Sequence, residues 1–204
     1  MPPSDDPATL ALVMRAKAEL RKRLRALRQT TPANACAKRS ERIVERLLEL
    51  EPMAHAARVA LFWPIEERHE VDLRPLDRTL RDRGATVFYP SVDEETRVMT
   101  FRAAAPNELT LGALGFRGAP SAAPEATALD VIVVPALALD AQGRRLGYGA
   151  GFYDRTLGRF AGAVTVGVAY DFQLLAEVPA LGGDVSVAWV VTDVRTLNCA
   201  APPS

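Results

Sequence analysis

Residues 129 to 160, LDVIVVPALALDAQGRRLGYGAGFYDRTLGRF, constrain the fold more than any other stretch. Val131 to Val134 is an apolar run of strand length. Pro135 stops it, because proline brings no N–H to a central ladder. A loop follows with Gly143, Gly147, Gly149 and Gly151, and with Arg144 and Arg145 near its start. It leads into a short helix whose apolar side is Phe152, Tyr153, Leu157 and Phe160. Asp154 falls in its first turn, where a carboxylate complements the helix dipole. A strand, a glycine loop and a helix N-terminus in succession turn unpaired backbone N–H groups toward an anion, and glycines let the backbone approach it. Glycine turns after strands are common, and this one matches neither familiar nucleotide motif. It lacks the lysine and hydroxyl of GxxxxGK[ST], and Gly147, Gly149 and Gly151 have the wrong spacing for GxGxxG.

The rest of the chain alternates helix and strand. Ala8 to Gln29 has a helical period that puts Leu10, Val13, Met14, Leu20, Leu24 and Leu27 on one arc. Lys17 and Arg21 fall inside that arc, four residues apart, and the wheel leaves open whether they snorkel at its edge or face a ligand. Arg28 shares the inward side near the helix end, where it snorkels or meets the carbonyl dipole. Thr31-Pro32 predicts an N-cap and first residue for a second helix running to about Leu50. Its buried side is Ile43, Val44, Leu47 and Leu48, and Arg39, Glu41, Arg42, Glu45 and Arg46 read as solvated. Val59 to Trp63 suits a central strand, with a polar loop over 64–70 after it. Asp72 then caps a helix that reaches Arg83 and stops at Gly84.

Thr86 to Tyr89 is a strand closed by Pro90, and Val98 to Phe101 a strand of edge or hairpin type. Residues 103–128 carry no sustained period and read as a long surface connection. Val164–Val168 and Val187–Val191 complete the strands. This alternation predicts an α/β fold, a three-layer αβα sandwich with a mostly parallel sheet and sites at the carboxyl ends of its strands. One domain is expected over 8–198, between flexible tails at 1–7 and 199–204.

Charge narrows the function. The 25 basic and 25 acidic side chains cancel, so nothing calls for a nucleic-acid partner. No apolar run is long enough to span a membrane, and Asp5 and Asp6 stand where a signal sequence would be basic, so a cytoplasmic protein is expected. Cys36, Cys199, His55 and His69 lack metal-site spacing.

The whole word from Gly143 to Asp154, GRRLGYGAGFYD, resembles the signature G-x-R-L-G-x-G-x-G-[FY]-Y-D of the 5-formyltetrahydrofolate cyclo-ligase family. Lys17-Ala18-Glu19-Leu20-Arg21, Glu70-Val71-Asp72 and Asp171-Phe172-Gln173 match further words of that family, so the resemblance spans about residues 10 to 195. It implies the same three-layer fold and an ATP-dependent cyclisation of 5-formyltetrahydrofolate to 5,10-methenyltetrahydrofolate, with ADP and phosphate released, by a monomer. The resemblance implies that ATP is bound by Lys17, Arg21, Arg145, Leu146, Gly147, Tyr148, Gly149, Ala150, Gly151, Phe152 and Tyr153. Arg145 and Tyr153 would be catalytic, and Asp154 would ligate Mg²⁺. Glu70 would take the pterin end of the folate, bordered by Trp63, Tyr148 and Phe152. Each has a plainer reading: helix-start charge for Glu70 and Asp154, core packing for Trp63 and the aromatic residues of the central helix.

Three positions depart from the family pattern. Ala150 stands where some members have Lys, the run Gly115 to Pro120 lacks an acid, and Ala188 replaces a carboxylate beside the metal, which Asp184 or Asp193 would have to replace. If these losses weaken metal binding, the chain would bind folate or nucleotide without turnover. A sugar-phosphate or dinucleotide enzyme on a related α/β fold is a further alternative.

Overall fold

The computed structural model describes residues 6–199. Asp6 accepts a hydrogen bond from the N–H of Thr9 at 3.1 Å and caps α1 (Pro7–Thr30), so the expected N-terminal tail already ends at this cap. Its other residues, 1–5, and residues 200–204 lie outside the described residues. Next come α2 (Ala33–Glu49), α3 (Glu51–Ala54), β1 (Arg58–Ala60), α4 (Arg74–Asp82), β2 (Thr86–Val92) and β3 (Met99–Ala103). A small ribbon of β4 (Thr110–Leu111) and β5 (Arg117–Gly118) precedes β6 (Val131–Pro135). The hairpin of β7 (Ala138–Leu139) and β8 (Arg145–Leu146) leads to α5 (Phe152–Leu157), and β9 (Val164–Val168), β10 (Trp189–Val191) and β11 (Thr196–Asn198) close the fold.

Seven strands form the main sheet in the order β11-β10-β9-β6-β1-β2-β3, parallel except at the antiparallel edges β11 and β3. Alternation along β6 shows how the layers arise. Val131 and Val133 face a core shared with Ile43, Leu47, Leu76 and Leu80 of α2 and α4. Ile132 and Val134 face the opposite core, shared with Leu157 and Phe160 at and after α5. Both faces of the strand are buried, which is why its sequence is continuously apolar. The expected α/β sandwich with a mostly parallel sheet is the observed one.

α1 belongs to neither face. Leu24 packs with Ala138, Leu146 and Val178 against the hairpin of β7 and β8. Its buried residues are Lys17, Leu24 and Arg28, whereas Leu10, Met14 and Leu27 of the expected apolar arc are exposed. The helix turns Lys17 and Arg28 inward, and Lys17 and Arg21 line a cavity that it borders.

Other boundaries shift for local reasons. Thr31 does not cap α2, since its hydroxyl donates back to the Leu27 carbonyl at 3.0 Å. Arg39, read as solvated, forms an ion pair with the buried Asp193. Asp72 accepts from the Arg74 N–H and side chain, with no side-chain cap at Leu73, the N-cap of α4. Strand β1 ends at Ala60, so Phe62 and Trp63 leave the sheet. Pro90 lies within β2, beyond Phe88, the last residue paired with β1, so its missing N–H removes no bond on that side. Residues 103–128 do more than cross the surface: Ala104, Leu109, Ala119 and Ala126 are buried, and the β4–β5 ribbon holds the loop between. β11 was not expected; it pairs with β10, and Cys199, assigned to the tail, donates its N–H to Ala188 O at 2.8 Å.

Candidate active site

From β1 the chain proceeds to β2 on one side of the sheet, and from β6 to β9 on the other. The seam between β1 and β6 is therefore the switch point at which an open α/β sheet leaves a crevice at its carboxyl ends. A cavity of about 400 Å³ lies there. Phe62 and Trp63 beyond β1, and Pro135 at the end of β6, form its floor. Lys17 and Arg21 of α1, Glu70, Arg145 and the run 147–154 surround it. All the site residues expected from the sequence line this cavity except Leu146. Leu146 is 1% exposed and packs beneath Leu24, so its side chain serves the core of the hairpin and not a ligand.

The glycine loop has the properties its sequence demands. Gly149 has φ +106° and Gly151, the residue that starts α5, has φ +68°, a region that costs other residues strain. Among the described residues, the N–H groups of Tyr148, Gly149, Ala150 and Gly151 donate no hydrogen bond. Arg21 holds the loop from α1 by donating Nε to Gly147 O at 2.9 Å. Partial burial, then the neighbouring Arg25, hold the Arg21 guanidinium below its ordinary pKa. Gly149→Ala, which would force a Cβ into φ +106°, is expected to lower kcat/KM for ATP by about 10-fold and to lower the melting temperature by a few degrees. Thermal unfolding and ATP-dependent initial rates check both; unchanged rates would separate the loop from catalysis.

Two cation–carboxylate pairs line the cavity, and a third, between Arg28 and Glu70, reaches it through Glu70 alone. Lys17, 4% exposed, meets Asp184 in a short contact. Arg145 donates to Asp154 Oδ1 at 2.7 Å, and Arg28 lies 3.8 Å from Glu70 Oε1. No local pattern links Lys17 to Asp184, and the wheel leaves Lys17 open between the helix edge and a ligand. Arg28 neither snorkels nor caps the helix; it is 3% exposed and donates to the Tyr148 hydroxyl at 2.5 Å. Tyr148 in turn donates to Glu70 Oε1, and Ile65 N–H donates to Oε2 at 3.0 Å. Burial first, and then the Glu70 charge, push the Tyr148 phenol up, so it remains a donor. Burial likewise raises the Tyr153 phenol.

Trp63 has both readings at once, with its edge against Tyr89 at 6.1 Å and one side on the cavity. Met14, Met99 and Phe116 also line the cavity; the sequence placed Met14 on a helix arc and Met99 in a strand, with no sign of a site, and Phe116 sits in the stretch without period. Gln173 of the D-F-Q turn donates to Leu137 O at 2.7 Å and shapes the core instead of the cavity. Of the two carboxylates considered as replacements at Ala188, Asp184 lines the cavity, and Asp193 is spent on Arg39 and the Asp171 N–H.

The model of the 5-formyltetrahydrofolate cyclo-ligase family matches residues 13–193. The chain belongs to this family. It is 30% identical over 154 residues to the 5-formyltetrahydrofolate cyclo-ligase of Escherichia coli K12, covering 72% of this chain and 84% of that protein. It is 54% identical over 67 residues to the cyclo-ligase of Mycolicibacterium smegmatis, which spans about a third of each protein, 32% and 34%. The NMR structure of Aquifex aeolicus 5,10-methenyltetrahydrofolate synthetase superposes with a TM-score of 0.80 at 31% identity, over 92% of this chain and 95% of that one. The family expected from the glycine-loop word is the one found, and with it an ATP-dependent ligase of folate metabolism.

Proposed function

We propose that this chain converts 5-formyltetrahydrofolate and ATP into 5,10-methenyltetrahydrofolate, ADP and phosphate in the cavity between α1, β1 and β6. The observation that carries the reading is the meeting of unspent loop N–H groups, inward cations and a buried carboxylate, Glu70, in one crevice. The formyl oxygen attacks the γ-phosphorus of ATP and ADP departs. N10 then attacks the activated carbon, loses its proton, and phosphate leaves with the original formyl oxygen. The protein has mainly to align the two ligands and offset charge.

Loop N–H groups, Lys17, Arg21 and Arg145 would hold the phosphates. Glu70 would accept the N–H groups of the pterin, a task for which a carboxylate has lone pairs to spare beyond those used by Tyr148 and Ile65. Trp63, Tyr148 and Phe152 would border the folate, and Tyr153, beneath the Arg145 guanidinium at 5.7 Å, would keep that group in place.

Mg²⁺ fits the donors present. Asp154 and Asp184 line the same cavity, and carboxylate, phosphate and water oxygens are the ligands this ion prefers. When bound, the ion would offset charge on the transferring phosphate. Asp154 uses Oδ1 for Arg145 and for the Val185 N–H at 3.2 Å, and Asp184 uses Oδ2 for Lys17 and the Leu181 N–H at 2.6 Å. Each pair thus holds an acceptor for the metal beside a cation for the phosphate. We take the site to work within a monomer in the cytoplasm. No helix of the described residues is long and apolar enough to cross a membrane.

Asp154→Asn is expected to raise the Mg²⁺ concentration for half-maximal rate by about 10-fold or more, because an amide is a poor ligand for this ion. Initial rates across a Mg²⁺ series at saturating ATP check it, and an unchanged requirement would assign Asp154 to Arg145 alone. The function itself is tested by ADP release that depends on 5-formyltetrahydrofolate. ADP released at the same rate without the folate would reject coupled cyclisation.

A further inference from the structure

Behind Tyr148 lies a second cavity of about 360 Å³, lined by Arg25, Arg28, Gln29, Arg68 and Tyr148. Three guanidinium carbons surround the Tyr148 ring, at 5.7 Å for Arg25, 5.6 Å for Arg28 and 5.5 Å for Arg68. Any two of these charges are thus no more than about 11 Å apart, on the scale of the Debye length at ordinary ionic strength. Among the described residues only Arg28 has a carboxylate near it, Glu70 at 3.8 Å, and Glu70 is itself engaged by Tyr148. Arg25 is tied to the Tyr148 carbonyl at 3.2 Å, and Arg68 makes no ion pair.

The decisive group is Arg28. Its side chain is buried, yet Nε has no hydrogen-bond partner among the described residues. An unsatisfied N–H on a buried guanidinium is costly, and a bound anion or water is one arrangement that relieves it. Gln29 is held at the rim by its bond to Glu67 O at 2.5 Å. None of these groups is needed for the phosphates in the main cavity, which the glycine loop, Lys17, Arg21 and Arg145 surround.

We infer that Arg25, Arg28 and Arg68 form an oxyanion site, separate from the glycine loop, for a phosphate or carboxylate group. Guanidinium forks match the paired oxygens of these anions, whereas a spherical halide satisfies one N–H at a time. Arg68 and Tyr148 line both cavities, so the oxyanion is either free in solution or the charged end of a molecule whose body occupies the main cavity.

Calorimetric titration of inorganic phosphate into the full chain tests this, with chloride at matched ionic strength as the reference. Arg25→Ala and Arg68→Ala are each expected to weaken phosphate binding by about 10-fold or more, the scale of one charge-assisted hydrogen bond. Arg21→Ala, which alters the main cavity, should leave this binding in place. If Arg25→Ala or Arg68→Ala lowers the melting temperature, Arg68→Gln, which keeps much of the side-chain length, replaces them. Repeating the titration with saturating 5-formyltetrahydrofolate separates the sources. Retained phosphate binding marks a site for a free oxyanion, and competitive loss marks one filled by the ligand's own charged end. Absence of binding at millimolar phosphate, or binding lost in Arg21→Ala and kept in Arg68→Ala, would overturn the site.

Discussion

Arg145→Ala is expected to lower kcat by about 10²-fold or more, the loss associated with one preorganised stabiliser of transition-state charge. The Arg145 side chain is 4% exposed and held on two sides, by Asp154 at 2.7 Å and by the Tyr153 ring. Its Nε has no partner among the described residues, and the guanidinium lines the cavity in a geometry set before a ligand arrives. A fixed donor contributes little to ground-state binding and more when charge moves to the oxygens of the transferring phosphate, so kcat should fall more than KM for ATP rises. Arg145→Lys keeps the charge but cannot bind Asp154 and direct a second N–H at once, and should restore only part of the rate. The side chain of Asp154 is 25% exposed and can be hydrated when its partner is removed, so the variant should fold. A kcat within about threefold of the parent, in folded protein, would remove Arg145 from catalysis and leave it as a clamp on Asp154.

Glu70→Gln should act on the other substrate. KM for 5-formyltetrahydrofolate is expected to rise by about 10²-fold with KM for ATP nearly unchanged, since losing a buried charged partner for ligand N–H groups costs roughly 3 kcal/mol. The same change removes the one carboxylate near Arg28 and breaks the acceptor shared with Tyr148, so stability should fall by about 3 kcal/mol. The two effects separate with Tyr148→Phe, which removes the hydroxyl and spares the carboxylate. That variant should lose much less folate affinity. Equal losses of folate and ATP affinity in Glu70→Gln would show that the carboxylate only supports the loop that carries it.

Some of this was legible in the sequence because local chemistry decided it. The apolar run 131–134, Pro135 and the glycines predict a buried strand followed by a glycine loop, and the structure has both. Helical period set Lys17 and Arg21 within one arc but left open whether they snorkel or face a ligand. Pairings across the chain were not legible. Lys17 and Asp184 are separated by 167 positions, and Tyr148 and Glu70 by 78, so no local pattern connects them. β11 spans three residues, too few to display a period of two, and follows a charged turn at Asp193 and Arg195. Pro90 looked like a strand end because propensity cannot know that the neighbouring strand stops first. The exposed Leu10, Met14 and Leu27 misplaced the buried face of α1, which turns Lys17, Leu24 and Arg28 inward instead.

Membership in the cyclo-ligase family and the contents of the cavity lead to one central claim, that this chain closes the formyl group of 5-formyltetrahydrofolate onto N10 at the expense of ATP. The direct measurement is the absorbance of 5,10-methenyltetrahydrofolate forming from 5-formyltetrahydrofolate in the presence of purified protein, Mg²⁺ and ATP. Absorbance is expected to grow in proportion to enzyme, with one ADP released per product, to be absent without ATP and to grow about 10²-fold more slowly with Arg145→Ala. Tight binding of the folate with no absorbance change at saturating ATP and Mg²⁺ would contradict this claim and identify a folate-binding protein without turnover.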